Sequence, residues 1–204
     1  IEGGMVMTGN ADYGELAKTL RTFGWVRDMR NKDEVAEKHS DIDPRFLFVN
    51  TGYNFRPTEI QGAFGIHQIK KLDGFVETRR SNAKFWTDSL RQFSDFLMLY
   101  QERPGTKYAW YGYPITVKPD APFSREELRN FLGSKGLDTR PIFAGNIVEQ
   151  PAMKLLKYRQ SGDLPNAKTI QRQSFFFGNH QGIGVEEREA VVDYFREFMA
   201  GIKR

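Results

Sequence analysis

Apolar positions along the chain follow two periods, about 3.6 residues in the first half and then increasingly 2. Ile1-Glu2-Gly3-Gly4 ahead of Met5-Val6-Met7-Thr8 reads as a glycine turn feeding a short apolar strand. Asp12 and Glu15 form a capping pair, and Leu16, Leu20 and Phe23 share one face, so residues 12 to 23 are predicted helical with Gly24 as the stop. Residues 27 to 45 are charged and close on Asp43-Pro44, which predicts an exposed loop with one helical turn over 32–38. A loop of that length is often functional. The apolar run Phe46-Leu47-Phe48-Val49 leads into Gly52-Tyr53-Asn54-Phe55-Arg56-Pro57, a fixed irregular turn. Thr58 and Gln61 form a second capping pair. From there Ile60, Phe64, His67, Leu72 and Val76, then Phe85, Trp86 and Leu90, keep helical spacing with a soft break at Gly74, predicting one long, bent, bridging helix.

Beyond Pro104-Gly105 the pattern changes, and a second domain is expected from about residue 95 to the end. Tyr111, Tyr113, Ile115 and Val117 alternate as in a half-buried strand. Ser124 and Glu127 cap a helix that turns Leu128, Phe131 and Leu132 inward and stops at Gly136, and a strand follows over 137–143. A stretch punctuated by Gly and Pro precedes a short helix over 166–173 and the strand Ser174-Phe175-Phe176-Phe177. Val191, Tyr194, Phe195, Phe198, Met199 and Ile202 then fall on one face of a terminal helix that packs on a sheet, with Lys203 and Arg204 at its negative end. The expectation is an α+β domain with helices on one sheet face. There is no internal repeat.

Composition narrows the classes of function. Of 204 residues, 39% are hydrophobic, enough for a core rather than a disordered chain. The net charge of +4 comes from 30 basic and 26 acidic residues that interleave, which is not the footprint of a nucleic-acid binder. No stretch approaches the roughly 18 apolar residues of a membrane-spanning helix. With no cysteine, the chain offers no disulfide, no thiolate nucleophile and no cysteine-ligated iron–sulfur cluster, and a cytoplasmic location fits. The chain opens without Met, so a fragment is expected.

Candidate chemistry concentrates in two segments. In 52–61, Asn54 and Arg56 stand just ahead of a helix N-terminus, where N–H groups and the dipole favour a phosphate or carboxylate; an ordinary capped loop, with Arg56 paired to an acidic neighbour, is the alternative. In 139–146, a strand runs into a turn that displays Arg140 and Asn146 beside an aromatic, or else leaves a solvated arginine on an edge strand. Among the histidines, His67 reads as packed and hydrogen-bonded and His39 as solvated. His180, after the end of a strand, reads either as a cleft residue or as part of a turn. No catalytic triad or metal-ligand spacing is present.

Gly3-Gly4, then 52–63 (Gly52-Tyr53-Asn54-Phe55-Arg56-Pro57-Thr58-Glu59-Ile60-Gln61-Gly62-Ala63), Leu72-Asp73 and Arg79-Arg80, in that order and nearly end to end, resemble the DegT/DnrJ/StrS sugar aminotransferases. The resemblance implies an α/β architecture, the C-terminal part of the fold type I transferases that use pyridoxal phosphate (PLP) or its pyridoxamine form. Residues 1–75 would finish the large cofactor domain, 76–94 would bridge, and 95–204 would form a small α+β domain. It further implies that Asn54 reaches the cofactor phosphate of a neighbouring subunit in a homodimer with shared active sites, and that Gly3 and Gly4 lie beside the cofactor. Tyr53, Arg56, Arg140, Asn146 and His180 would serve a nucleotide-linked 4-keto sugar, with no metal. The catalytic lysine, or the histidine that replaces it, would lie ahead of Ile1, so no catalytic residue is expected in 1–204.

Within the family, 139–146 followed by Gln150-Pro151-Ala152 is more similar to the 3-dehydratases, which remove the C3 hydroxyl with the pyridoxamine form as electron sink. One group of these carries a [2Fe-2S] cluster on cysteines in the loop matching 27–45, which has none here. The resemblance therefore implies a cluster-free form that regenerates its amine from a donor such as glutamate, in the making of a bacterial surface polysaccharide or a glycosylated metabolite. A 4-aminotransferase is the alternative within the family. A non-catalytic homologue serving as a dimerising or regulatory binding module is the alternative outside it.

Overall fold

The computed structural model describes residues 3–202, so Ile1, Glu2 and the two basic residues expected at the helix end, Lys203 and Arg204, lie outside the described residues. The chain divides into two compact units, Ile1–Lys70 and Lys71–Arg204.

In the first unit, residues 5–8 form no strand. Met5, Val6 and Met7 are more than 80% exposed, and none of the described residues pairs with them, without which a ladder cannot form. Helix α1 (Ala11–Leu20) starts one residue before the expected position. Its cap is Asn10, whose Oδ1 accepts from the backbone N–H of Asp12 and Tyr13, while Glu15 is drawn off to Lys18 and to the Arg30 N–H. The buried residue of α1 is Thr19, and Leu16 and Phe23 stay over 40% exposed. Residues 27–45 hold one short helix, α2 (Lys32–Glu37), where one turn was expected. Trp25 closes this loop by stacking on Phe48, with its indole N–H donating to the Arg45 carbonyl, above the buried Val26 and Leu47.

Helix α3 (Glu59–Gln68) begins where the Gln61 side chain accepts from the Thr58 N–H at 2.6 Å. The long helix is not bent at Gly74. A 3₁₀ turn over Ile69–Lys71 separates α3 from α4 (Leu72–Leu90), which runs unbroken through Gly74.

The second unit is a four-stranded antiparallel sheet in the order β1-β2-β4-β3. Its strands are β1 (Leu97–Leu99), β2 (Gly112–Val117), β3 (Thr139–Pro141) and β4 (Ser174–Gly178). Strand β1 is absent from the sequence reading because three apolar residues in a row carry no alternation. Strand β3 is shorter than expected: Pro141 has no N–H to extend the ladder, and the strand lies at the edge, where proline is tolerated.

Alternation sends Tyr113, Ile115, Phe175 and Phe177 to one face of the sheet. There α4, α5 (Arg125–Ser134) and α7 (Val185–Ala200) bring Trp86, Leu90, Leu128, Leu132, Val192 and Phe195 against them. Trp86 sits edge-on to Tyr113 and Phe177 at 5.5 and 4.9 Å, and its N–H donates to the Arg188 carbonyl. Each such buried ring stabilises the unit by about 1.5–3 kcal/mol. The opposite face carries a hydroxyl chain that runs from the half-buried Tyr100 to the buried Thr116 and Ser174, at 2.8 and 2.6 Å. Helix α5 is capped by Ser124 and Glu127 and followed by left-handed Gly136, and α6 (Pro165–Gln173) leads into β4, both as the sequence predicts.

Candidate functional site

The first candidate segment is held by backbone bonds to the end of α1. Tyr53 N–H donates to the Leu20 carbonyl, Phe23 N–H to Tyr53, and Phe55 N–H to Arg21, at 2.6 to 2.8 Å, with Thr22 and Asn54 as bridge partners. This close approach requires two glycines. A Cβ on Gly24, at φ +88°, would lie 1.7 Å from the Asn50 carbonyl oxygen, and one on Gly52 would lie 2.4 Å from the Gly24 nitrogen.

On the segment so fixed, Tyr53 and Phe55 stack in parallel, 4.8 Å apart, which puts both rings on one side and turns Asn54 to the other. Asn54 is exposed, and its amide has no hydrogen-bond partner among the described residues. Arg56 forms no ion pair with an acidic neighbour there; its guanidinium lies 5.7 Å over the Phe23 ring. An unengaged amide and an exposed guanidinium ahead of α3 suit a phosphate group. Gly3 and Gly4 are exposed, with nothing within 4 Å of where a Cβ would stand.

The second segment lies on the sheet edge of the other unit. Arg140, paired in register with Phe176, is exposed and 3.5 Å from the equally exposed Asp138. Beside it Phe143 stacks on Tyr111 and on Phe176 at 6.4 and 5.8 Å, Tyr111 lies tilted against Phe176 at 5.8 Å, and Phe143 is 77% exposed. A cation next to a flat aromatic surface can hold a planar ring and an anionic tail together.

Asn146 is not displayed there. It is 1% exposed, its N–H donating to the Gln171 side chain and its amide to Glu149, which also accepts from Gln171. The tight Gly145 turn, at φ +58°, brings the Asn146 N–H to Gln171 and so buries the side chain.

His180 stands exposed after β4, with Nδ1 accepting from the Gly182 N–H at 3.0 Å. His67 is exposed rather than packed, because its face of α3, with Ile60 and Phe64, is uncovered among the described residues; His39 is exposed as expected.

Two groups escaped the sequence reading. Asn179 is buried, its amide donating to the Arg79 carbonyl at 2.9 Å; its position directly before His180 was the available signal. Glu102 accepts from Arg80, the Trp110 indole and the Tyr108 N–H. Burial pushes its carboxyl up, but the bonds from Trp110, Tyr108 and Arg80 outweigh that and hold it below the ordinary value. Its ion-pair partner is 22 residues away, and no spacing rule reveals that. Among the described residues no cluster of three or more His, Cys, Asp or Glu could hold a metal ion, and no helix is long and apolar enough to cross a membrane.

A family model described as DegT/DnrJ/EryC1/StrS aminotransferase family matches residues 1–196. The chain is 33% identical over 202 residues to a GDP-4-keto-6-deoxy-D-mannose 3-dehydratase of Escherichia coli, covering 98% of this chain and 50% of that protein. It is 31% identical to a dTDP-4-dehydro-2,6-dideoxy-D-glucose 3-dehydratase of Saccharopolyspora spinosa, covering 98% and 45%. A solved GDP-4-keto-6-deoxymannose-3-dehydratase with a trapped PLP-glutamate geminal diamine superposes with a TM-score of 0.80 at 31% identity, over 93% of this chain and 48% of that one. The chain spans about half the length of the curated relatives it matches.

Proposed function

Because this chain belongs to the DegT/DnrJ/EryC1/StrS aminotransferase family, we propose that it is the C-terminal half of a PLP- or pyridoxamine-phosphate-dependent 3-dehydratase acting on a nucleotide-linked 4-keto-6-deoxyhexose. The observation that carries this reading is its likeness, over nearly its whole length, to 3-dehydratases that use different nucleotides. The bound cofactor supplies the electron sink that lets the C3–oxygen bond break. Asn54 donates its free amide to the cofactor phosphate, from a segment whose backbone bonds to α1 fix its aim. Gly3 and Gly4 leave room for the backbone to pass beside the cofactor. Arg56 offers two parallel N–H donors to diphosphate oxygens, and Tyr53 adds a wall and a hydroxyl.

Arg140 meets the charge of the nucleotide while the Tyr111, Phe143 and Phe176 surface takes its flat part, with Asn146 holding the turn in shape and His180 serving from the turn after β4. The residue that moves the proton is expected ahead of Ile1. The active protein is a cytoplasmic homodimer that completes each site across its subunits, and glutamate returns the amine. The absence of cysteine supports a form without an iron–sulfur cluster.

The test is incubation of the native polypeptide with PLP, glutamate and GDP-4-keto-6-deoxymannose or its dTDP counterpart, followed by mass spectrometry of the sugar. Loss of the C3 oxygen supports the dehydratase. Gain of an amine at C4 makes the protein an aminotransferase, which the family also contains. A protein that dimerises but shows no cofactor absorbance band is a binding module instead.

A further inference from the structure

The turn after β4 gives the two ring nitrogens of His180 different tasks. Gly182 N–H donates to Nδ1 at 3.0 Å, and a Cβ on Gly182 would stand 3.1 Å from both Nδ1 and Cε1, so the ring lies directly on the glycine backbone. With Nδ1 an acceptor, the proton of the neutral imidazole resides on Nε2. The mount is stiff. Asn179 is 1% exposed, its N–H donating to the Tyr111 carbonyl at 3.2 Å and its amide to the Arg79 carbonyl of α4. On the other side of His180, the Asn82 amide of α4 donates to the Ile183 carbonyl at 3.3 Å, and Ile183 N–H donates to the His180 carbonyl at 3.2 Å. Tyr111, which holds Asn179 by its backbone, is also the ring that stacks on Phe143 and leans on Phe176 beside Arg140.

We infer that this turn presents His180 Nε2–H as a fixed, neutral hydrogen-bond donor to an acceptor oxygen on the sugar of the ligand, making His180 a specificity-determining residue. The inference rests on the nucleotide-sugar reading and deepens it. A neutral donor suits a hydroxyl or carbonyl oxygen, whereas the diphosphate charge is better met by a guanidinium such as Arg140. Because the turn is fastened to α4 on either side of the ring, and to the Tyr111 carbonyl just before β2, little freedom is lost when the donor is engaged. A sugar lacking the matching oxygen would leave that donor unpaired, which is how polar sites discriminate.

The experiment uses the native polypeptide with its cofactor. Two-bond proton–nitrogen spectra of histidine-labelled protein at mildly alkaline pH, with His180→Gln assigning the signal, report the tautomer. Calorimetry with GDP-mannose or dTDP-glucose, whichever the native protein binds, and with the matching nucleoside diphosphate reports the contact. The expected result is an Nε2-protonated ring. His180→Asn, which keeps the acceptor for Gly182 but not the outward donor, should weaken sugar-nucleotide binding about tenfold and leave the diphosphate unchanged, and His180→Gln should restore most of the loss. An Nδ1-protonated ring overturns the inference, as does His180→Asn binding within about twofold of native. Equal weakening for sugar nucleotide and diphosphate also overturns it, by placing the contact on phosphate. A native protein that binds neither probe removes the nucleotide-sugar reading and this inference together, whereas native binding with indifferent variants removes the inference alone.

Discussion

The two units hold their candidate residues by different means. In Lys71–Arg204 the aromatic strand residues, Trp86 and the faces of α4, α5 and α7 bury one another, while Arg140 on the edge strand and His180 after β4 stand exposed. Among the described residues of the unit Ile1–Lys70, only Val26 and Leu47 are buried large apolar residues, and Asn54 owes its position to backbone bonds and to two glycines. A site on a packed core tolerates changes in its loops but not beneath the sheet. A site on backbone bonds tolerates side-chain changes but not an added Cβ.

The sharpest way to break this contrast is one substitution in each unit. Trp86→Ala should cost about 3–5 kcal/mol, read by denaturant unfolding of the native protein, because it empties the centre of the aromatic cluster and removes the bond to the Arg188 carbonyl. Gly24→Ala should leave that transition in place and abolish cofactor retention, since its Cβ cannot coexist with the Asn50 carbonyl. If Gly24→Ala keeps its cofactor, the backbone account of Asn54 is wrong. Next in size are the side chains themselves. Asn54→Ala should weaken cofactor retention by about 1.5–3 kcal/mol, the worth of a hydrogen bond to a charged group. Arg140→Ala should instead raise the KM for the sugar nucleotide about tenfold with kcat nearly unchanged, through lost uniform binding. Unchanged kinetics in both variants would refute the assignment of these residues.

Much of the second unit was legible because burial imposes periods. The alternation of Tyr113, Ile115 and Val117, the capping pair Ser124/Glu127 and the face of α7 all came through, and Val192, at the margin of that face, was missed. The first unit was less legible. Asp12 and Glu15 fit a capping box, yet Asn10 capped α1 because Glu15 found Lys18 and Arg30, partners no local rule weighs. Met5 to Thr8 read as a strand from composition, but a strand is defined by its neighbour. For the candidate sites, Asn54, Arg56 and Arg140 could be singled out from sequence because their neighbours are turn formers. Asn146 could not be told from a displayed residue, since its burial depends on Gln171, 25 positions away.

A smaller effect tests the packed core through its one strained ionisation. Burial pushes the Tyr113 hydroxyl up to about 12 from 10.0, partly offset by its bond with Thr87. A raised value in the folded state means the neutral phenol is favoured there, so this contribution is complete below pH 10.0 and is lost as pH rises toward about 12. At most it is about 3 kcal/mol. Native protein should therefore lose stability over that alkaline interval, and Tyr113→Phe should flatten the loss while costing about 1 kcal/mol at neutral pH for the unpaired Thr87 hydroxyl. An unchanged alkaline slope in Tyr113→Phe would mean that the ring ionises only after the unit has opened.

The smallest effect belongs to the first unit and lies in acid. Arg45 donates to Asp43 three times, and Arg45 N–H caps the same carboxylate, holding Asp43 down to about 2 from 3.8. A lowered value in the folded state makes the contribution present above pH 3.8 and lost as pH falls toward about 2. The pair is exposed, however, and exposed pairs contribute little even when their geometry is good. Asp43→Asn should thus leave global unfolding unchanged at neutral pH and act locally, loosening the turn that presents the Arg45 carbonyl to Trp25. Tryptophan fluorescence is the readout. Native protein should show a small transition between pH 3.8 and about 2 that Asp43→Asn lacks. The same transition in both proteins would assign it elsewhere.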